Sequence, residues 1–343
     1  MADPSQNKFL AFVQRESLEV SSLLIEVREA LGKQEWKALL KDSRFRDSGT
    51  VWQQLFSRIE PKRIILLAPA SELAWLAGCI DYGTHFFTSP RDHSIIQSVE
   101  LDRTTPLVAA SSPQQADFGL STKAAGGVFK LGPTSILHAC RWSRIGLNEG
   151  SFLELYGQSA WYEQGEPHDI PSLLQFLFPR CCGQYTTQHT HRFFHVVATM
   201  SFLDSFTYTA IFPPSDHAFR THANYGIHPN HYVREVNLQL APHPDQLGML
   251  DDEARVGRAI LTECWGHVQA TYIKLRTLMF KQSREPTWRL RRVVCEDDAI
   301  RSLSNDLRVT FSRFGEEGAW RVWGRVWRMM LEENNEVKFE VDG

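Results

Sequence analysis

Residues 62–80 read KRIILLAPASELAWLAGCI, and this stretch decides the class of fold. Ile64 to Ala68 form a short, unbroken apolar run rich in branched side chains, which is how a strand buried on both faces is written. Pro69 and Ala70 mark a turn. Ser71 then stands where an N-cap hydroxyl can accept from the free amides of a first helical turn, and Glu72 to Ile80 carry the helix onward. Strand, tight turn and helix in that order predict an α/β protein with a Rossmann-like, partly parallel sheet in its first half.

Working outward, apolar residues at Phe9, Val13, Val20, Leu24, Val27 and Leu31 recur near the helical period and predict an opening amphipathic helix. Further strand-like runs lie at 106–110, 127–131, Ser135–His138 and Ser151–Tyr156. The second half reads as more helical. A short helix is expected at 171–178 and a longer one from His189 to Leu203 or beyond, stopped by Pro213-Pro214. Tyr232 to Leu240 alternates as a strand does. From Asp251 a long helix to about Gln282 places Val256, Ile260, Cys264, Val268, Tyr272, Leu275 and Met279 on one side. Trp320 to Met330 suggests a short helix, and 337–341 a last strand. The organisation expected is a helical segment at 1–60, the Rossmann-like part at 61–165 and a helical and mixed part at 166–343, with one continuous domain as the alternative.

Composition narrows the function classes. The chain has 343 residues, 43% hydrophobic and 22% charged, as soluble globular proteins do, and a net charge of −3 argues against whole-surface binding to nucleic acid or anionic lipid. No secretory leader and no uninterrupted apolar span of about 20 residues is found. The six cysteines include no C-x-x-C pair, so reduced thiols and an intracellular, cytoplasmic location are expected. Neither G-x-G-x-x-G nor G-x-x-x-x-G-K-[ST] occurs, which disfavours a routine NAD enzyme or P-loop ATPase. The segment Gly157-Gln158-Ser159-Ala160-Trp161 fails as a nucleophile elbow, because Trp161 stands where the sharp turn needs glycine.

The densest chemical signal is histidine. Seven of the 13 histidines fall between His189 and His231, namely His189, His191, His195, His217, His222, His228 and His231. His191 and His195 are four apart, so on a helix both imidazoles leave one face and can share a zinc ion or another divalent transition metal. Asp216 and His222 can complete such a site, as can Glu263 and His267, themselves four apart on the long helix. His217 and His231 remain as general acid and base groups. A bland alternative is that these histidines are ordinary hydrogen-bonded residues.

Two further constellations qualify. Ser71 and Glu72 sit where open α/β sheets bind ligands, at a strand's carboxyl end facing a helix. Lys274 to Arg328 hold thirteen basic against seven acidic residues, with Arg289, Arg291 and Arg292 the densest group and Trp320, Trp323 and Trp327 interleaved with arginine. That pattern suits phosphate holding and base stacking, though three tryptophans at this spacing also make one apolar helix face.

Three functional readings result. The first is an enzyme, a lyase, hydrolase or oxidase acting on a small organic substrate, with histidines and a metal as Lewis acid and acid/base. The second is a metal-free Rossmann-like transferase using a nucleotide- or tRNA-linked donor, with RNA as partner. The third is a non-catalytic interaction protein. Histidine density favours the first. Substrate and oligomeric state are not encoded in any motif.

Overall fold

A computed structural model describes residues 11–13, 15–16, 19–27, 52, 55–69, 72–73, 76, 96–103, 136–156, 203–213, 233–252, 256, 259–282, 290–300, 303, 307, 309, 320–323 and 326–329. Its centre is a mixed sheet built from β1 (Ser22–Glu26), β2 (Arg63–Pro69), β3 (Ile96–Asp102), β4 (Arg144–Ser151), β5 (Ser205–Ile211), β6 (Glu235–Gln239), β7 (Arg292–Cys295), β8 (Trp320–Trp323) and β9 (Val326–Met329). Short helices α1 (Ile136–Ala139) and α2 (Leu153–Tyr156) flank β4, and the long α3 (Leu261–Gln282) lies between β6 and β7. The protein is therefore α/β-like, with strands contributed by both halves of the chain.

Strand order is β1-β2-β3-β4-β5-β6-β7-β9-β8. β3 lies antiparallel between β2 and β4, while β4, β5, β6 and β7 run parallel to one another. Each step from β4 to β7 moves the same way across the sheet. A doubly wound sheet instead reverses its strand order.

Burial alternates along the strands. Ile64, Leu66, Val99, Leu101, Ile145, Leu147, Phe206, Tyr208, Val236, Leu238 and Val293 face a continuous core, joined by Cys264, Val268, Tyr272 and Leu275 of α3. Alternate residues on the other face are mostly polar. Arg63 reaches Glu100 at 2.7 Å and Asp102 at 3.7 Å, and Arg292 reaches Glu235 at 2.5 Å. Asn237 donates to Thr207 and Glu235 at 3.3 and 2.9 Å. Hydrogen bonds from Asn237 and Arg292 keep the Glu235 carboxyl below its ordinary value, although partial burial acts to raise it.

Several local expectations are corrected. The helix read over 9–31 is helical at 11–13 but gives way to β1, because Leu23, Ile25 and Val27 pack on the core at period two while Leu24 is 58% exposed. The Ser135–His138 run is helical in α1, where Trp142 Nε1 donates to the Ile136 carbonyl at 2.8 Å. The Ser151–Tyr156 run ends β4 and turns into α2. Where the helix from His189 was expected to continue beyond Leu203, β5 forms instead, with Phe206, Tyr208 and Ala210 buried and threonines between them. Asp251 closes a 3-10 turn over Pro244–Asp251, so α3 starts only at Leu261, and Ile260 is 57% exposed rather than on the core stripe. Trp320 to Met330 is no helix: β8 and β9 pair as an antiparallel hairpin, Val322 opposite Trp327.

The strand at Arg63–Pro69, the strand at Glu235–Gln239 and the end of α3 at Gln282 fall where the pattern put them. The runs at 106–110, 127–131, 171–178 and 337–341 lie outside the described residues. Among the described residues no helix is long and apolar enough to cross a membrane.

Candidate functional site

The carboxyl ends of the parallel strands gather buried polar side chains onto an otherwise apolar face. β4 finishes as Asn148-Glu149-Gly150-Ser151, and its register against β5 slips between Asn148 and Ser151. Gly150 takes the slack at φ 69°, a conformation glycine adopts without a Cβ penalty, and its N–H donates to Asn148 Oδ1 at 2.9 Å. Such bulges redirect the side chains beside them. Glu149 is left wholly buried on the core face, where the Tyr208 hydroxyl donates to its Oε2 at 2.6 Å.

Across the β3–β4 junction, Gln97 and Glu149 each lie one residue past the paired Ser98 and Asn148. Gln97 is also buried, and its Oε1 has no hydrogen-bond partner among the described residues. Glu72, helical just after β2, is a third buried polar group at this end of the sheet. A short hydroxyl-to-carboxylate bond is typical of charge-assisted hydrogen bonding and is a route along which a proton can pass. Acceptor-rich chemistry thus collects at one edge.

A second buried carboxyl group closes the same edge further along. Asp297 follows β7, and its Oδ2 accepts from the Tyr272 hydroxyl at 2.5 Å and the Leu240 N–H at 2.7 Å. Its Oδ1 accepts from the Ala241 N–H at 3.1 Å. Burial pushes the Asp297 carboxyl up to about 6, against the pull of those three donors. Burial and the neighbouring carboxylate also raise the Tyr272 phenol well above its ordinary value. Asp297 thereby ties α3 to the ends of β6 and β7, and acts as a fastener.

Between these two groups β5 ends on Phe212, a non-glycine residue at φ 54°. Side chains rarely adopt that region, and residues held there cluster at functional or tightly determined sites. Here three contacts hold it. Its N–H donates to the Leu240 carbonyl at 2.9 Å, its carbonyl accepts from the Tyr156 hydroxyl at 3.2 Å, and its ring meets Trp265 edge-on at 4.9 Å. The Tyr156 ring lies 5.6 Å from the His267 ring.

Of the residues singled out by sequence, Ser71, His191, His195, Asp216, His217, His222, His231 and Arg289 lie outside the described residues. Glu72 is at the carboxyl edge. Glu263 is exposed in the first turn of α3, where an acidic group suits the positive helix end. His267 is partly buried against Tyr156. Among the described residues, no three histidine, cysteine, aspartate or glutamate side chains are grouped so as to hold a metal ion. Arg291 donates through Nη1 to the Leu290 carbonyl at 3.3 Å, and Arg292 is engaged with Glu235.

Gln97, Glu149, Tyr208 and Asp297 were not singled out by sequence. Glu149 did carry a signal: an acid followed by glycine at the end of the alternating Ile145-Gly146-Leu147 run. Comparison of the chain with protein-family models, curated proteins and solved structures finds no match.

Proposed function

We propose that the chain is a cytoplasmic enzyme acting on a small organic substrate bound at the carboxyl edge of the sheet. The observation that carries this reading is the wholly buried Glu149 hydrogen-bonded to Tyr208 on a bulge at that edge. Open α/β sheets bind ligands outside the carboxyl ends of their strands, and perturbing burial of acids is a mark of functional sites. Past Pro213 the chain continues from this edge into the segment that holds Asp216, His217, His222 and His231. In our reading, His191 and His195 with Asp216 or His222 bind a zinc-like ion. His217 and His231 exchange protons with the substrate. When bound, the metal supplies Lewis acidity and a water ionisable near neutral pH. Glu263 and His267, spaced for ligation on α3, serve as the remaining donors.

Strand β2 followed by helical residues at Glu72, Leu73 and Leu76 supports a Rossmann-like reading of the first half. The transferase reading keeps one supporting observation, the burial of Glu72 just after β2. In that version Arg289, Arg291 and Arg292 bind the phosphates of a nucleotide- or tRNA-linked donor. The existing bond from Arg292 to Glu235 weighs against it.

Turnover of a panel of esters, hydroxy acids and amides by the full chain, with and without added zinc, tests the proposal. Glu149→Gln and Tyr208→Phe should lower kcat by roughly 10²–10⁴-fold, as loss of acid/base groups does, while Glu100→Gln on the opposite face should not. Equal activity in Glu149→Gln and the parent would remove Glu149 from the chemistry.

A further inference from the structure

At the other end of the sheet a buried cation is left short of partners. β3 runs against its neighbours, so its last residue, Asp102, and the following Arg103 lie at the amino edge of β2 and β4. The Arg103 N–H donates to the Lys62 carbonyl at 2.9 Å, which fixes its backbone. Its side chain is 3% exposed. Nε and Nη1 are buried with no hydrogen-bond partner among the described residues, and Nη2 makes a long ion pair with Glu60 Oε2 at 3.9 Å, beyond hydrogen-bonding reach.

A guanidinium stays protonated at any physiological pH, so it cannot relieve this burial by losing its charge. Buried charges are retained where they are paired and hydrogen-bonded. Among the described residues the nearby groups give Arg103 one long ion pair, from Nη2 to Glu60, and no hydrogen bond to Nε or Nη1. Asp102 is engaged on the polar face by Arg63 and Arg144. Cys140 is close enough to feel the Arg103 charge, yet burial pushes its thiol up to about 11, leaving it neutral near pH 7. Glu60 is the nearest carboxylate, and it is 56% exposed and too far to bond.

We propose that Arg103 is the anchor of an oxyanion-binding site at the amino edge of the sheet, taking a carboxylate or phosphate group. Oxygen acceptors bring both the negative charge and the lone pairs that Nε and Nη1 lack, and arginine suits such groups better than lysine because its planar fork presents several donors at once. This site is distinct from the carboxyl edge and does not depend on the chemistry assigned there.

The test is equilibrium binding of inorganic phosphate and of acetate to the full chain, against sodium chloride at matched ionic strength. One equivalent of phosphate or acetate should bind the parent, which of the two binds more tightly naming the ligand source. Arg103→Met should bind about tenfold more weakly or worse, as loss of a charge-assisted contact implies, and Arg103→Lys should fall between them. Glu60→Gln should bind at least as tightly as the parent, because it removes a competing negative charge. Thermal unfolding supplies the second readout: either oxyanion raises the parent's midpoint and leaves that of Arg103→Met unmoved. The proposal is overturned if neither oxyanion binds beyond the chloride control. It also fails if Arg103→Met binds like the parent, or if Glu60→Gln loses stability as Arg103→Met does, which would make Glu60 the native partner.

Discussion

The two faces of the sheet are written in alternate residues of the same strands and obey different rules. On β3, Val99 and Leu101 enter the core, while Glu100 and Asp102 between them stand on the partly exposed face and pair with Arg63. An ion pair on that outer face costs little to make and is worth little. A polar group on the inner face must be bonded or it is expensive. Glu149 and Asp297 meet that demand, whereas Gln97 and Arg103 retain buried atoms with no partner among the described residues, as Ser205 Oγ and Arg292 Nε do on the outer face. Polar residues therefore differ by face: Glu100 stands in an ion pair on the outer face, while Glu149 is buried against Tyr208, where our proposal places the site.

That contrast can be broken by substitution. The largest effect is expected from Phe206→Ala, which empties the centre of the inner face; deleting a buried aromatic ring costs about 3–5 kcal/mol, to be read from urea unfolding. Next comes Asp297→Asn. An amide cannot accept at both terminal atoms, so at least one of the donors on Tyr272, Leu240 and Ala241 is stranded, at about 1–3 kcal/mol. Arg63→Ala on the outer face should lie within about 1 kcal/mol of the parent and should matter less still at high salt. A large loss in Arg63→Ala would show that the outer face is structural and would erase the distinction.

Asp297 adds a dependence on pH. Its folded value, about 6, lies above the ordinary carboxyl value of 3.8, so the folded state binds the proton more tightly than the unfolded chain does. The stabilisation from that proton is complete below the unfolded value and is lost as pH rises from about 4 through 6. The stability of the parent relative to Asp297→Asn should accordingly grow as pH falls from 7 to 4. Unfolding midpoints measured along that range check the sign.

Legibility followed the physics of each segment. β2 was readable because five consecutive apolar residues admit few alternatives, and α3 because its stripe at Cys264, Val268, Tyr272 and Leu275 spans several turns. β1 was misread since Val20, Leu24 and Val27 happen to fit a helical spacing, and only the neighbours Leu23 and Ile25 show the period of two. The tryptophans at 320, 323 and 327 mimic a helix face because a tight hairpin reverses the chain between the second and third. β3 escaped notice because Gln97 occupies an inner position that an apolar residue would usually mark. Asp297 hides in Glu296-Asp297-Asp298, a run with the look of surface, and which acid turns inward is decided by Tyr272 and the β6 backbone. Arg103 had no local signal at all, since its surroundings are set by Glu60 and Cys140, which lie far from it in sequence.

In our proposal the histidines supply the chemistry at this edge. The most direct measurement is elemental analysis of the purified, tag-free full chain beside a His191→Ala/His195→Ala double variant. Near-stoichiometric zinc or another divalent transition metal in the parent, and its loss in the variant, is the expected result. A well-folded parent that contains no such metal and takes none up on addition would contradict the metal-assisted enzyme.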